Sequence, residues 1–427
     1  MKKKVLIIAY CFPPMPVIGS QRPYGLAKYL KYFNWEPSVL TIKHPGTPPD
    51  GVNIIATDYS DRLDSAKGFL GFNAGTSFHE QFGIPVKKNY DYSPWKGKLI
   101  EFFSEIIAFP DREIGWYRPA VKAVSELLGK QKIDAIISTS YPVTAHLIAR
   151  DIKRKYGIPW VADLRDLWTQ NHYYRKFKMV SLLERRMELN ALSFADMLVT
   201  ISGPLADTLK SLHTNKEVRC ITNGYDPQDF DSIPSDLTEN FTITYTGRFY
   251  NGKRDPSILL EAASELIREG KIDEERTEIR FFGRHEEWLA NDINKYRLKN
   301  VARICGFISR EEALKRQKES QLLLLLLWND EKEKGVYTGK IFEYLGARRP
   351  ILAIGGSNSI VRDLLEGTKT GNFAETKEQV KTIMARHFRE FAKSGEVKYN
   401  GGEALNDYTY HSVAREYSRA LNAVAAS

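Results

Sequence analysis

The chain has 427 residues, more than one hydrophobic core normally organises, so two domains are expected. Its composition, with 42% hydrophobic and 27% charged residues, is that of an ordinary globular protein. No nucleic-acid recognition motif accompanies the moderate net charge of +9, so nucleic acid is not an expected partner. The three cysteines lie far apart, which argues against a disulfide framework or a metal-binding cluster and fits a cytoplasmic location.

The first half of the chain alternates strand patterns with helical patterns. Strands are predicted at residues 5–10, 36–42, 133–138, 160–163 and 197–201. Helices are predicted at residues 22–33, 142–156 and 178–193. This alternation is typical of a parallel, doubly wound sheet. Residues 44–120 are less regular and rich in Gly, Pro and aromatic residues, so we interpret them as an insertion.

The second half repeats the alternation after an acidic, Pro-containing stretch at residues 226–239. Strands are predicted at residues 241–246, 278–282, 303–306, 322–327 and 350–354. Helices are predicted at residues 256–269, 310–320, 377–394 and 412–425. The apolar run at residues 322–328 is too short to span a bilayer and is interpreted as a buried strand.

These patterns predict an α/β protein with two Rossmann-like, doubly wound parallel-sheet domains that face a central cleft. The predicted N-terminal domain is residues 1–233, including the insertion at about 44–120, and the predicted C-terminal domain is residues 234–408. Residues 409–427 are predicted to form a helix that crosses back to the first domain. Open α/β sheets bind ligands at the carboxyl ends of their strands, so the loops there are the candidate sites.

Two loops of the first domain carry candidate residues. Gly19 precedes a predicted helix and allows a phosphate or a sugar hydroxyl to approach the backbone, although a structural turn is the alternative. Arg165 and Asp166 follow a strand and could orient a hydroxyl nucleophile, while Trp168 could stack on a sugar. The alternative for this second loop is a structural Arg–Asp pair.

The loop at residues 246–256 of the second domain contains Arg248 and Lys253 just before a predicted helix. Two cations at a helix N-terminus can neutralise a diphosphate leaving group. The loop lacks the spacing of an NTPase phosphate loop. After the strand at 303–306, the backbone near Phe307 and Ile308 could read a nucleobase edge, with a plain turn capped by Ser309 as the alternative.

Lys340 and Glu343 open the helix that precedes the strand at residues 350–354. At a spacing of i and i+3 they lie on one helix face, so both can contact one ligand. A carboxylate there can accept hydrogen bonds from two adjacent ribose hydroxyls. The alternative is an ordinary surface salt bridge.

Taken in order, these motifs resemble glycosyltransferase family 4, of the bacterial polysaccharide-biosynthesis type with the GT-B fold. The matching segments are Tyr10-x-Phe12-Pro13-Pro14 with Gly19 and Arg22, Asp163-Leu164-Arg165-Asp166-x-Trp168, Thr222-Asn223-Gly224-Tyr225-Asp226, Thr246-Gly247-Arg248 with Lys253, and Lys340-Ile341-Phe342-Glu343-Tyr344-Leu345. The resemblance spans nearly the whole chain except about residues 44–120.

The resemblance implies specific roles in donor binding. Arg248 and Lys253 would hold the diphosphate, and Glu343, next to Lys340, would bind the ribose hydroxyls. Gly19 would approach the donor near its phosphates or sugar. In the same way, Phe307 and Ile308 would border the base.

The chain departs from the family at two places. Members often carry an earlier glutamate, spaced Glu-x7-Glu, that contacts the donor sugar, but this position is Gly335 here. The backbone amides of Gly335, Val336 and Tyr337 would face the sugar instead. Many members also have an acceptor-side histidine where this chain has Arg165-Asp166.

The resemblance implies an enzyme that moves a hexosyl or related group from a UDP- or GDP-type sugar to a hydroxyl acceptor, with retention of configuration. No metal and no other cofactor is expected, and Arg248, Lys253 and Asp166 are the candidate catalytic residues. The expected acceptor is a lipid-linked glycan in cell-surface polysaccharide assembly. The alternatives are a nucleotide-sugar epimerase or hydrolase on the same fold, and a degenerate, non-catalytic binding subunit.

A basic cluster in the first half is interleaved with apolar side chains. Its cationic members are Arg175, Lys176, Lys178, Arg185 and Arg186. Such a helix can lie on an anionic membrane surface, which would place a cytoplasmic protein at the inner face of the membrane. The alternative is a solvated helix face.

Overall fold

The computed structural model describes residues 2–59, 105–106, 108–171, 177–234, 236–333, 335–356 and 359–426. The chain forms two compact domains, one made of residues 1–222 and 410–427 and the other of residues 223–409. Residues 60–104, which make up most of the predicted insertion, lie outside the described part of the chain.

The first domain is built on a seven-stranded sheet with the order β3-β2-β1-β4-β5-β6-β7, in which all neighbouring strands pair in parallel. The strands are β1 (Lys3–Ile8), β2 (Trp35–Ile42), β3 (Asn53–Thr57), β4 (Ala135–Thr139), β5 (Trp160–Asp163), β6 (Met197–Thr200) and β7 (Glu217–Cys220). The strand order reverses between β1 and β4, where doubly wound sheets place ligands.

Helices cover this sheet and bury its apolar residues. They are α1 (Gln21–Tyr29), α2 (Tyr117–Leu128), α3 (Thr144–Tyr156), α4 (Lys178–Leu192) and α5 (Gly203–Leu212), with 3-10 turns at Ile18–Ser20, Leu30–Phe33 and Arg112–Trp116. The central strands are buried along their whole length, since β4 has no exposed residue. This explains why the strands read as continuous apolar runs in the sequence.

Parts of the predicted insertion belong to the sheet and its flanking turns. Residues 53–57 form β3, which pairs with β2 at the sheet edge. Trp116 is fully buried, and its Nε1 donates to Thr57 Oγ1 at 2.8 Å. The short, partly exposed edge strand gives a weak sequence pattern, and only its pairing with β2 shows that it belongs to the domain.

The second domain has a six-stranded parallel sheet with the order β10-β9-β8-β11-β12-β13. Its strands are β8 (Phe241–Thr246), β9 (Thr277–Phe282), β10 (Ala302–Gly306), β11 (Leu322–Leu326), β12 (Ile351–Ile354) and β13 (Gly371–Ala374). The order again reverses at the centre, between β8 and β11. The loops that carry Arg248 and the residues after Leu326 leave the sheet at this point.

Seven helices of the second domain are described. They are α6 (Gln228–Asp231), α7 (Ser257–Arg268), α8 (Glu287–Lys295), α9 (Arg310–Lys318), α10 (Gly339–Ala347), α11 (Ile360–Thr368) and α12 (Lys377–Ser394), with 3-10 turns at Glu331–Glu333 and Glu403–Tyr408. The Thr376 and Gln379 side chains form a capping box at the start of α12. Its predicted bounds, 377–394, agree with the structure.

Residues 223–233 were predicted at the end of the first domain, but they pack in the second. The Tyr225 N–H donates to Tyr408 O at 2.9 Å, and Tyr225 and Phe230 lie in the second core. A Cβ atom at Gly346 would lie 2.3 Å from the Phe230 ring, so the glycine permits this packing. Tyr225 and Phe230 are separated by acidic residues, so the stretch shows no regular apolar pattern in the sequence.

The final helix, α13 (Tyr410–Ala425), belongs to the first domain and packs on α1. Tyr410 rests on Gly25, where an added Cβ would lie 2.3 Å from the tyrosine ring. Tyr417 and Leu421 are fully buried in the same core. The first domain is therefore completed by the last segment of the chain.

Candidate functional site

Helix α10 of the second domain carries the predicted nucleotide-binding pair and is held by two polar anchors. At its start the Lys340 N–H donates to Thr338 Oγ1 at 3.3 Å. Further along, Tyr344 Oη accepts from the Thr246 N–H at 3.1 Å and donates to Leu324 O at 3.1 Å. These bonds fix α10 against β8 and β11, beside the carboxyl end of β8.

The Glu343 carboxylate is buried but loosely held. Oε2 lies 3.4 Å from Lys340 Nζ and 3.4 Å from Gln317 Nε2, and Oε1 lies 3.6 Å from Arg310 Nε. Strong charge-assisted hydrogen bonds are roughly 2.7–2.9 Å long, so the carboxylate retains capacity for closer donors. With only 7% of Glu343 exposed, this is not the ordinary surface salt bridge that the sequence left as an alternative.

Two polar residues that contact Glu343, Arg310 and Gln317, were not singled out from the sequence. Arg310 Nη2 bonds Asp229 Oδ2 at 2.7 Å, and Gln317 Nε2 bonds Thr246 Oγ1 at 2.9 Å. The Gln317 Oε1 atom is buried and has no hydrogen-bond partner among the described residues. Arg310 and Gln317 lie on α9, and no sequence spacing links that helix to Glu343.

Arg248 and Lys253 lie in the loop between β8 and α7. Lys253 Nζ is 3.7 Å from the centroid of the Trp328 ring, a cation–π contact that positions the ammonium group. The Arg248 side chain has no hydrogen bond or ion pair to any residue in the described ranges. Both cations are thus available to an anionic ligand at the start of α7.

Trp328 also lines a pocket of about 120 Å³ with Val336 and Thr338. The other side of the pocket is acidic and contains Asp330, Glu331 and Glu333. Gly335, which stands where the family often has a glutamate, is buried, and Tyr337 is half-buried. Carboxylates therefore do line this pocket, but they come from the preceding turn.

The segment after β10 forms a turn and a helix cap. The Glu312 N–H donates to Ser309 Oγ at 3.2 Å, so the capped turn left open as an alternative is present. Phe307 is 76% exposed and Ile308 is half-buried. An exposed aromatic ring at a strand end remains available to a flat ligand group.

In the first domain, the structure brings together two loops that are distant in sequence. Arg165 Nη1 donates to Gly19 O at 2.8 Å, and an added Cβ at Gly19 would lie 2.8 Å from that nitrogen. Arg165 Nε also lies 3.3 Å from Asp166 Oδ2. The structural Arg–Asp pair is therefore present, while 45% of the Asp166 side chain remains exposed.

Trp168 has a buried indole ring and does not present an open ring face to a ligand. It is only 5% exposed, its Nε1 donates to Glu184 Oε1 at 3.0 Å, and its ring packs beside His146. Burial lowers the pKa of His146 to about 4, so this histidine is neutral and serves packing. The predicted stacking on a sugar face has little ring surface available, because the indole is buried.

Asp166 and Trp168 line a cavity of about 370 Å³ at the carboxyl ends of β4 and β5. Ser140, Tyr141 and Arg185 contribute to other sides of the cavity. A cavity of this size exceeds that of the second-domain pocket and opens beside α4. It is the candidate acceptor site of the first domain.

Neither a metal centre nor a membrane span is found in the described part of the chain. No group of three or more His, Cys, Asp or Glu residues there could hold a metal ion. No helix there is both long enough and apolar enough to cross a bilayer.

Residues 23–229 match the family model of Glycosyltransferase Family 4. A search of curated proteins finds no match. Among solved structures, HepE of Anabaena in complex with UDP and glucose is 12% identical with a TM-score of 0.60, and the match covers 99% of this chain and 100% of that one. A glycosyltransferase from Rickettsia africae is 13% identical with a TM-score of 0.57, covering 99% and 98%.

The pneumococcal O-GlcNAc transferase GtfA, in complex with UDP and GlcNAc, is 10% identical with a TM-score of 0.55, covering 99% of both chains. At these identities the similarity shows the fold. The predicted fold class, two Rossmann-like domains of the GT-B type, is confirmed. The family predicted from the motifs is confirmed by the match over residues 23–229.

Proposed function

We propose that this chain, which belongs to glycosyltransferase family 4, transfers a sugar from a UDP-sugar to a hydroxyl of a lipid-linked glycan. The observation that carries the proposal is the buried, loosely held Glu343 carboxylate, fixed beside the strand end from which the Arg248 loop departs. UDP is preferred over GDP because HepE and GtfA were solved with UDP.

The ribose and the diphosphate of the donor contact residues of opposite charge in the second domain. The ribose hydroxyls donate to Glu343, whose present contacts are all 3.4 Å or longer. The diphosphate binds Arg248 and Lys253, since both cations belong to the loop that leads from β8 into α7. A charged residue at each end sets the direction in which the donor lies.

Bond cleavage leaves negative charge on the diphosphate, and Arg248 and Lys253 stabilise that charge without a metal. Losing one such contact in a transition state typically costs on the order of 3 kcal/mol, by analogy with oxyanion donors. Retention of configuration is part of the proposal, and the anomeric coupling in the product's NMR spectrum tests it.

The donor sugar lies toward the acidic pocket of the second domain. Hydroxyl groups donate well to carboxylates, and Asp330 and Glu333 line that pocket. These residues replace the carboxylate that is absent at Gly335. The Val336 N–H, which was predicted to face the sugar, instead donates to Glu333 O at 2.9 Å.

Transfer of labelled sugar to a membrane-extracted acceptor, with UDP release as a second readout, tests this function. Arg248→Ala should lower kcat/KM by about 100-fold, because an unpaired charge then develops on the leaving group. The matched control is Arg268→Ala, an exposed arginine at the far end of α7, which should leave turnover unchanged. Equal activity of wild type and Arg248→Ala would overturn the proposed donor site.

The alternatives predict different products. UDP release without an acceptor, or a changed sugar on UDP, would favour a hydrolase or an epimerase. Inert wild type that still binds a protein partner would favour a degenerate subunit.

The lipid-linked acceptor is supported by the outer face of α4. Met179, Leu182 and Leu183 are 72%, 55% and 54% exposed, although each is a large apolar residue. Lys178, Arg185 and Arg186 lie on the same helix and are also exposed. Arg175 and Lys176, the other members of the predicted basic cluster, lie outside the described residues.

An exposed apolar strip with flanking cations is the arrangement that binds an anionic lipid surface. In this proposal α4 rests on the inner face of the membrane, where the lipid-linked acceptor is found. Flotation with vesicles of phosphatidylglycerol and phosphatidylcholine tests it. Leu182→Glu with Leu183→Glu should abolish flotation and keep turnover of a water-soluble acceptor; flotation that persists in this variant contradicts the membrane role.

A further inference from the structure

The 370 Å³ cavity of the first domain is lined by more acidic than basic side chains. Six charged side chains line it, and these are Glu105, Asp111, Arg112, Asp166, Glu184 and Arg185. Four of them are acids and two are arginines, so a simple count suggests an acidic cavity. The hydrogen-bond partners of the acids and of the arginines nevertheless differ.

Every acid in the cavity wall has an internal donor. Asp111 accepts from the Thr144 N–H at 2.8 Å and from Thr144 Oγ1 at 2.6 Å. Glu184 accepts from Trp168 Nε1 at 3.0 Å.

The other two acids are engaged in the same way. Asp166 lies 3.3 Å from Arg165 Nε. Glu105 accepts from the Phe177 N–H at 3.1 Å.

The two arginines of the wall have no such partners. Neither the Arg112 nor the Arg185 guanidinium makes a hydrogen bond or an ion pair with any group among the residues that the structure describes. Both are exposed, and they come from different elements, the turn at Arg112–Trp116 and helix α4. The charged groups of the wall that lack a partner among the described residues are thus the two guanidinium groups, which can only donate hydrogen bonds.

We propose that this cavity binds an anionic group of the acceptor through Arg112 and Arg185. The ligand class is an oxyanion, either the phosphate or diphosphate of a lipid carrier or the carboxylate of an acidic sugar. Arginine matches all of these because its planar fork donates two parallel hydrogen bonds. The inference rests on the proposed function in that it assigns the anion to the acceptor.

The position of Arg185 relates the cavity to the exposed face of α4. Arg185 lines the cavity, whereas its neighbours Leu182, Leu183 and Arg186 do not. One helix therefore presents an apolar strip outward and a cation to the cavity. An acceptor with a lipid tail and a charged head could engage both features.

Titration calorimetry with water-soluble probes tests the proposal without a membrane. The probes are farnesyl diphosphate below its micellar concentration, methyl glucuronide as the acidic sugar, and methyl glucoside as the neutral control. Arg112→Gln and Arg185→Gln should each raise the Kd of the anionic probe by about tenfold, since each removes a charge-assisted contact. Methyl glucoside should not respond to either substitution.

The chain offers matched controls for both variants. Arg186→Gln changes the adjacent residue of α4 and Arg118→Gln changes an exposed residue of α2, and neither residue lines the cavity. Both control variants should keep the wild-type Kd. An equal loss in Arg185→Gln and Arg186→Gln would show general surface attraction and overturn the proposal, as would the absence of binding by both anionic probes.

The outcomes also separate this proposal from the proposed function. UDP affinity should be unchanged in Arg112→Gln and Arg185→Gln, because the donor residues lie in the other domain. Diphosphate binding that depends on Arg248 and not on the cavity arginines overturns the anion site but leaves the donor site intact. Preference for farnesyl diphosphate identifies a lipid carrier, and preference for glucuronide identifies an acidic sugar.

Discussion

Asp163 in the first domain and Glu343 in the second are both buried carboxylates beside an arginine, yet they are held differently. Asp163 lies 3.0 and 3.1 Å from two nitrogens of Arg22 and 2.7 Å from Thr139 Oγ1. The Glu343 carboxylate has no hydrogen bond or ion pair to a described residue shorter than 3.4 Å. A carboxylate with short bonds maintains the fold, whereas one with long contacts can exchange them for a ligand.

Arg22 shows how completely the first carboxylate is enclosed. Its Nη1 donates to Thr222 O at 2.7 Å, and its Nη2, which also contacts Asp163, lies 2.9 Å from Ile221 O and 2.8 Å from Tyr417 Oη. Burial by itself raises the pKa of Asp163, but the Arg22 guanidinium and the hydrogen bonds outweigh it and hold that pKa below its usual value. Arg22 thus joins α1, β5, the end of the first segment and α13.

The largest expected effect is on stability at the enclosed carboxylate. Asp163→Asn should lower the free energy of unfolding by about 3–5 kcal/mol, because it leaves the buried Arg22 without its counter-charge. Urea denaturation followed by circular dichroism measures the change. A loss below about 1 kcal/mol would mean that the pair contributes little to the fold.

The next effect should appear in binding at the loosely held carboxylate. Glu343→Gln keeps the shape but weakens two hydrogen bonds to the ribose, so the Kd for UDP should rise by about 100-fold. The thermal shift caused by UDP should vanish at concentrations that saturate the wild type. If Glu343→Gln instead lost as much stability as Asp163→Asn and kept its affinity for UDP, Glu343 would be a residue that maintains the fold and not one that binds the donor.

Glu113 provides a third kind of buried carboxyl group. It is 2% exposed, and its Oε2 has no partner among the described residues. Burial, and then the nearby Asp111, raise the pKa of Glu113 from 4.5 to about 8. In that window the folded protein keeps a proton that the unfolded chain has released, so stability falls as pH rises from about 4.5 to 8.

Glu113→Gln should remove this dependence. The wild type should lose up to about 1.4 kcal/mol per pH unit between pH 5 and 7 from this group, and the variant should not. Urea midpoints measured at pH 5, 6 and 7 give the slope for both proteins. Parallel slopes would show that Glu113 is ionised in the folded protein.

The smallest effect is expected at Asp166, which is half-exposed and paired with Arg165. Exposed ion pairs contribute roughly 0–1 kcal/mol, so Asp166→Asn should change the free energy of unfolding by less than about 0.5 kcal/mol. Acceptor turnover should nevertheless fall if Asp166 is catalytic. The same denaturation and transfer assays used above provide both numbers, and intact turnover would remove Asp166 from the site.

The fold was predictable because buried parallel strands give continuous apolar runs. The runs at 160–163 and 241–246 coincide with β5 and β8. Strands β3, β7 and β13 were not recognised, since they are short and partly exposed at the sheet edges. Edge strands are identified by backbone pairing, which a single segment does not display.

The candidate site was predictable only where one segment contains its chemistry. Lys340 and Glu343 share a helix face, so their spacing revealed them. Arg310 and Gln317 reach Glu343 from another helix and left no signal in the sequence. The different roles of Asp163 and Asp166, three residues apart, were also hidden.

The sequence by itself indicated the family, the alternation of buried strands with helices, and the residue types near the ends of those strands. Local periodicity and motif spacing encode these features directly. Tertiary structure alone decided that Asp163 is enclosed by Arg22, that Trp168 is buried, and that Arg112 and Arg185 share one cavity. The physical reason is that burial and partner geometry depend on segments far apart in the chain, and they decide whether a charged group supports the fold or remains available to a ligand.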